Sequence, residues 1–277
     1  MNARDTLARI GRLDADDIHL LDAALELARW ADAKLSNAPY HRHVQTLVQE
    51  ARAYVGADGD STELVLEAAR QIIARRFGYA GETDPGLRGD AANLACVIDR
   101  RRGGAAALCI LYAHVLDALG QRVELLGFSA RPLVRVLGVH SHHVLDPFDD
   151  GRSLDARQLR RLHKTHCSAK GELDPFDLTV LTPRHVLIRL QDDIKIHHLR
   201  QSAPEAALAA LEAELLIAPF EPRLWREAGL LHARLDHIGE AISALQHFLT
   251  LPGGEALRYT ASQVLQQLQG REDKNQT

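Results

Sequence analysis

The chain has 277 residues, enough for two domains, and its 46% hydrophobic and 25% charged content is ordinary for a globular protein, which excludes a disordered or collagen-like chain. With 33 Lys and Arg against 37 Asp and Glu the formal charge is −4, so no basic balance points to nucleic acid. Histidine is out of line: its 15 residues outnumber Phe (6), Tyr (5) and Trp (2) combined, which raises metal or acid–base chemistry as an idea to test.

Of the 33 cations only Lys34, Lys164, Lys170, Lys195 and Lys274 are lysines, and the arginines run along the whole length, as a coding bias would leave them. Cys96, Cys109 and Cys167 are odd in number and without a repeating spacing, so no disulfide framework is expected. The opening Met-Asn-Ala-Arg-Asp lacks a basic stretch leading into an apolar core, so no secretory leader is expected. The longest apolar run, Ala105 to Ala113, is followed by His114 and Asp117 and falls short of the ~20 residues of a membrane helix. The expectation is a soluble cytoplasmic protein, with neither nucleic acid nor membrane as partner.

In chain order, Asp14 and Asp16 stand where an N-cap belongs, ahead of Leu21, Ala24, Leu25 and Ala28 at helical spacing. Leu47, Val48, Ala51 and Val55 form a second stripe, closed by Gly-Ala-Asp-Gly-Asp at 56–60, and Leu64, Ala68, Ile72 and Ile73 a third. Residues 78–90, with four glycines and a proline, predict a loop, and a short helix follows from Ala91 to Asp99. Ala105–Leu119 is apolar nearly all round, which predicts a helix buried on most sides, preceded by Gly103-Gly104 and ended by Gly120. Arg122–Phe128, Leu133–Val139 and His142–Leu145 then read as strands before an Asp-Pro turn at 146–151. Helices ahead of neighbouring strands argue α+β rather than a parallel α/β sheet.

From Pro183 the pattern is helical again, and it repeats. Ala207, Ala210, Leu211, Leu215 and Ile217 return 34 residues later as Ala241, Ala244, Leu245, Leu249 and Leu251. Trp225, Gly229, Ala241 and Pro252 supply the aromatic, small and closing positions, and the set resembles a tetratricopeptide repeat. The small positions let paired helices approach and the proline stops the second one. The domain reading is 1–180 for a mixed domain with a helical N-terminal part, 184–270 for the tetratricopeptide-like region, and 271–277 for a flexible tail.

A buried helix behind glycines, then antiparallel strands and an Asp-Pro turn, is the order of parts in papain-like and transglutaminase-like folds. There a Cys sits at the first turn of the helix, where the helix dipole lowers its pKa, and later strands supply a His and an orienting Asp or Asn. Val97-Ile98-Asp99-Arg100-Arg101-Arg102-Gly103, continued by Leu108-Cys109-Ile110-Leu111-Tyr112, resembles the VLxRRxGIPxxLSxLY signature of the SirB family, transglutaminase-like proteins with a tetratricopeptide-type tail. Gly127-Phe128 with Leu133-Val134-Arg135 is similar to that family's GxPGHFLVR pair, Leu145 to Gly151 to its LDPFxxG turn, and Arg189 to Lys195 to its RLLxNLK linker. The resemblance implies a transglutaminase-like helix-plus-sheet domain followed by an all-α tail.

It also implies a degenerate site. The nucleophile position falls near Ala105, where the family usually has Pro, and the family's Gly-His pair aligns with Ala130-Arg131, leaving Asp146 as the one triad member in place. A methyl group is no nucleophile and a guanidinium no general base, so no acyl transfer is expected and Arg131 is expected to pair with Asp146. Cys109, one turn deeper among Leu108, Ile110 and Leu111, is expected to be a structural thiol, with a displaced-Cys hydrolase or acyltransferase as the enzyme alternative.

Two histidine groups remain. His140 and His142 share a strand face, and His163, His166 and Cys167 have helical spacing; were the groups to meet, their N and S donors would suit zinc. The plain alternative leaves 140–143 solvated and 163–167 in a loop, and no cofactor is expected. Within the basic run 100–102, Arg101 and its neighbours are expected to bind carboxylates of the same domain. Arg101, Arg135 and Trp225 are interaction candidates, and the expected role is protein or peptide binding without catalysis.

Overall fold

The computed structural model describes residues 2–56, 61–128, 131–138, 142–166 and 178–275. The elements are α1 (Ala3–Ile10), α2 (Leu20–Ala31), α3 (Ala38–Val55), α4 (Thr62–Arg70) running into a π-helical turn at Gln71–Arg76, β1 (Ala80–Gly81), α5 (Arg88–Ala92), α6 (Leu94–Arg100), β2 (Arg102–Gly103) and α7 (Ala105–Ala118). There follow β3 (Arg122–Phe128), β4 (Leu133–Leu137), β5 (His142–Asp146), β6 (Arg152–Leu154), α8 (Ala156–His166), β7 (Leu178–Leu181), α9 (Pro183–Arg200), α10 (Pro204–Ile217), α11 (Pro222–Arg234), α12 (Ile238–Thr250) and α13 (Glu255–Asn275). They form two units, Asp14–Leu190 and Met1–Leu13 with Gln191–Thr277.

In the first unit the five-stranded sheet runs β6-β5-β4-β3-β7 with every neighbouring pair antiparallel. Its register places Leu125 opposite Val134 and Val134 opposite Leu145, all buried, and α7 packs on β3 and β4. The alternate residues Leu126, Phe128 and Leu133 form a second cluster with Leu159 of α8, so both faces of the sheet centre are covered. The burial of α7 from Ala106 through Leu111 follows from its apolar circumference, and Gly120 at φ +83° stands just beyond its last turn, in the left-handed region that glycine tolerates.

Several local expectations change here. The helix expected over 91–99 is two helices broken at Asn93, whose backbone is extended and whose Oδ1 accepts from the Ala95 and Cys96 amides at 3.0 and 3.3 Å. The loop expected over 78–90 contains β1, which pairs in parallel with β2, and a 3₁₀ turn at Pro85–Leu87. The strand expected over 133–139 ends at Leu137, and Val139 lies outside the described residues. Residues 163–166 belong to α8 rather than to a loop.

The second unit contains the repeat as antiparallel helices, with α10 on α11, α11 on α12 and α12 on α13. Ala241, Leu245, Phe248, Ala261 and Leu268 are buried together, with Trp225 packed against them. The unit boundary lies at Leu190–Gln191, within α9, rather than at 180–184, and α1 joins this unit by packing on α10. α13 continues through Asn275, past the point where a flexible tail was expected from 271.

Candidate functional site

The N-terminus of α7 is set by Gly104, extended at ψ 161°, whose amide donates to the Ala91 carbonyl at 2.7 Å. Ala105 is the first helical residue and is half-buried, so the position implied for a nucleophile carries only a methyl group. One turn further in, Cys109 is fully buried and its Sγ donates to the Pro132 carbonyl at 3.4 Å. Burial pushes this thiol well above its ordinary value, Asp146 adds to the rise and Arg131 opposes it. A thiol so placed is held in its protonated form, and the thiolate is the nucleophilic one.

Arg131 and Asp146 meet beside it. The Arg131 Nε donates to both Asp146 oxygens at 3.1 Å and its Nη2 donates to Oδ2 at 2.5 Å. Asp146 is 1% exposed and also accepts from the Phe148 amide at 3.1 Å, while the Arg131 guanidinium lies 4.8 Å over the Phe148 ring. The turn that holds Phe148 closes through Gly151, whose amide donates to the Asp146 carbonyl at 2.9 Å. Gly151 has φ +69° and lies so near Tyr112 that a Cβ would come within 2.5 Å of its ring. The carboxylate that would orient an imidazole therefore holds a guanidinium, which has no proton to exchange at ordinary pH.

A sequence profile of the Transglutaminase-like superfamily matches residues 38–192, and one of the Tetratricopeptide repeat matches 194–269. The chain belongs to the transglutaminase-like superfamily. Similar proteins include a UPF0162 protein of Xylella fastidiosa (strain Temecula1), 26% identical over 245 residues and 87% of each chain. Protein SirB1 of Salmonella typhimurium is 27% identical over 189 residues, 66% of this chain and 69% of that one. A crystal structure of menin is similar at a TM-score of 0.45 and 13% identity, covering 94% of this chain and 68% of that one. The SirB likeness carried by the motifs at 97–112, 127–135, 145–151 and 189–195 thus extends over most of this transglutaminase-like chain.

The other candidate residues are dispersed. Ala130, His140 and Cys167 lie outside the described residues. His142 is exposed on β5, and neighbouring His143 points its Nε2 toward Glu63 Oε1 at 3.9 Å. His163 is 5% exposed and packs 6.1 Å from the Phe128 ring, on the sheet-facing side of α8, whose last residue is His166. Among the described residues the group of three that could hold a metal is instead Asp192, Glu214 and Glu227 in the second unit. The Lys195 ammonium lies in their midst, donating at 2.7, 2.9 and 2.7 Å respectively. The sequence reading missed this cluster, although an acid at 214 falling in the helical stripe of Ala207, Ala210, Leu211 and Ile217 was a visible signal.

The basic run divides its work in a way the sequence did not foretell. Arg100 takes carboxylates, Asp90 at 2.9 Å and Glu82 at 3.6 Å. Among the described residues Arg101 takes none: it sits at φ +58°, lies 4.9 Å over the Tyr79 ring, and donates to the Tyr79 hydroxyl at 2.5 Å and to the Ile98 carbonyl, with His43 at 2.9 Å. Burial and this guanidinium lower the His43 pKa, and burial pushes Tyr79 up to about 12. Arg135 pairs across the sheet with Glu124 at 2.7 Å, its direct register partner. Trp225 donates to the Pro219 carbonyl at 2.7 Å and meets His247 edge-on at 4.2 Å, which fixes the start of α11. An open groove of about 540 Å³ lies toward the C-terminal end of α7, with Asp22, His114, Asp117 and Glu124 in its walls.

Proposed function

We propose that the protein is a non-catalytic interaction or regulatory protein built on a degenerate transglutaminase-like domain, with a protein or peptide as partner in the cytoplasm. The observation that carries this reading is the Arg131–Asp146 pair, which occupies the place of a histidine–carboxylate couple beside an alanine and a buried thiol. Acyl transfer needs an activated nucleophile and a base within hydrogen-bond reach, and neither is supported by Ala105, Cys109 or Arg131. The tetratricopeptide helices favour binding, since stacked helix pairs present extended concave surfaces. The cleft beside Ala105, Arg131 and Asp146 is the proposed ligand or peptide site of the first unit.

Iodoacetamide labelling of the intact protein at neutral pH, mapped by mass spectrometry, tests the reading. Cys96, raised by burial and by Asp90 and Asp99, and Cys109 are expected to react no faster than a free cysteine. Accelerated alkylation of Cys96, Cys109 or Cys167, together with turnover of an activated acyl ester that alkylation abolishes, would overturn it in favour of a thiol-dependent acyltransferase or hydrolase.

A further inference from the structure

We propose that the outer face of α8 is a docking surface for an acidic segment of a protein partner. Arg157, Arg160, Arg161 and Lys164 follow the i, i+3, i+4, i+7 spacing that places side chains on one helix face, and all four are exposed. With Thr165 they line a shallow concavity of about 430 Å³. The opposite face is anchored, because Leu159 and His163 are buried against the sheet.

Among the described residues the charges on this face are unbalanced, although the chain as a whole is not short of acids. The chain carries more Asp and Glu than Lys and Arg, and Arg70, Arg76, Arg100, Arg131 and Arg135 each face a carboxylate. Among the described residues none of the four cations of α8 has an ion-pair partner. Like charges three and four apart work against a helix, and Arg157 in its first turn opposes the dipole. α8 tolerates this through its apolar anchor and a reciprocal cap, in which the Gln158 amide donates to Asp155 Oδ1 at 2.7 Å and the Asp155 amide to Gln158 Oε1 at 2.8 Å.

Charge complementarity selects the partner. From Arg157 to Lys164 the row spans about 10 Å of helix, which matches roughly three or four residues of extended peptide at ~3.3 Å each. Arginine forks suit carboxylates held in that geometry. A nucleic acid would draw on a longer basic track with stacking aromatics, and a membrane surface on exposed apolar side chains among the cations. No large exposed hydrophobic residue lies on α8, and the chain is net acidic. The surface is separate from Ala105, Arg131 and Asp146, so it stands whether or not those residues are catalytic.

The test is fluorescence anisotropy of dye-labelled hexaglutamate titrated with the full-length protein, with hexaglutamine carrying the same dye as control. Saturable binding to hexaglutamate that weakens with added salt is expected, and Arg160→Glu with Arg161→Glu is expected to weaken it at least tenfold. The pair Arg157→Gln and Lys164→Gln provides a milder variant should the reversal unfold the chain, with thermal melting as the folding check and about a threefold loss expected. Absence of saturable binding, equal binding by wild type and either folded variant, or displacement of the peptide by a single-stranded oligonucleotide or by phosphatidylserine vesicles at lower concentration than by unlabelled hexaglutamate would overturn the proposal.

Discussion

Arg131 covers Asp146 with a forked ion pair in which the carboxylate is 1% exposed and the guanidinium side chain 19% exposed. The two partners should therefore respond unequally to truncation. Arg131→Ala leaves a buried carboxylate with only the Phe148 amide, and a loss of about 3 kcal/mol is expected from the denaturant midpoint. Asp146→Ala should cost less, because Arg131 can turn its head toward water. Arg131→Lys should recover only part of the loss, since an ammonium cannot reproduce the fork. Equal midpoints for wild type and Arg131→Ala would show that the pair contributes nothing to stability.

The double substitution Ala105→Cys with Arg131→His tests whether the old chemistry is latent in the scaffold. A thiol at the first residue of α7 lies where the helix dipole lowers its pKa, and an imidazole at 131 would have Asp146 to orient it. Alkylation of the introduced thiol is expected at least tenfold faster than that of Cys109, with Ala105→Cys alone in between. Rates no higher than for free cysteine would place the vestigial nucleophile elsewhere.

What could be read from the sequence was what local periodicity encodes. The largely apolar α7, the strands after it and the 34-residue repeat each leave a pattern within a few turns of chain, and Gly229 and Trp225 occupy the places the repeat needs. Contacts between distant residues leave no such trace. Arg101 finds Tyr79 and His43 at separations of 22 and 58 residues, so its spacing among Arg100 and Arg102 could not reveal that it avoids carboxylates. Lys195 meets Glu214 and Glu227 19 and 32 residues on, which is why the acid cluster went unseen. α8 resembles a loop in composition because its apolar contribution is confined to Leu159 and Leu162. The assignment of α1 to the second unit depends on packing against α10, nearly two hundred residues away.

Gly229→Ala sets helix propensity against close approach. Alanine is favoured over glycine by about 1 kcal/mol in a helix interior. Its Cβ would lie 2.6 Å from the Leu245 side chain and 3.3 Å from the Ala241 carbonyl of α12. Overpacking of this kind costs about 1–3 kcal/mol, so a net lowering of the melting temperature is expected. Leu245→Ala should relieve the clash, making the double variant less destabilised than the sum of the two single ones; strict additivity would contradict the contact.

Lys195 occupies the place of a cation among three acids. Burial works against its charge, yet Glu214, Asp192 and Glu227 together hold its pKa above the ordinary lysine value. Lys195→Ala removes the ammonium from carboxylate oxygens that lie within 4.8 Å of one another, and a loss of about 3 kcal/mol is expected. Oxygen donors at such spacing suit calcium, so millimolar Ca²⁺ should raise the melting temperature of the variant but not that of wild type. Equal responses to Ca²⁺ would mean that the three acids separate once the ammonium is gone.

Glu214 gives the same cluster a pH dependence. Lys195 and Arg223 bring two positive charges, and Asp192 and Glu227 already bring two negative ones, so an ionised Glu214 is the surplus charge. Burial is the main cause that pushes its carboxyl up to about 8 from an ordinary 4.5; Lys195 opposes the rise, and Asp192 and Glu227 add to it. The folded state then holds a proton that the unfolded state has released between those values. The stability from this group is fully present below about 4.5 and is lost as the pH rises through about 8. Glu214→Gln keeps the shape and removes the titration. Its melting temperature is expected to gain on wild type steadily as the pH is raised from 5 toward 8, and parallel melting curves across that range would refute the assignment of the surplus proton to Glu214.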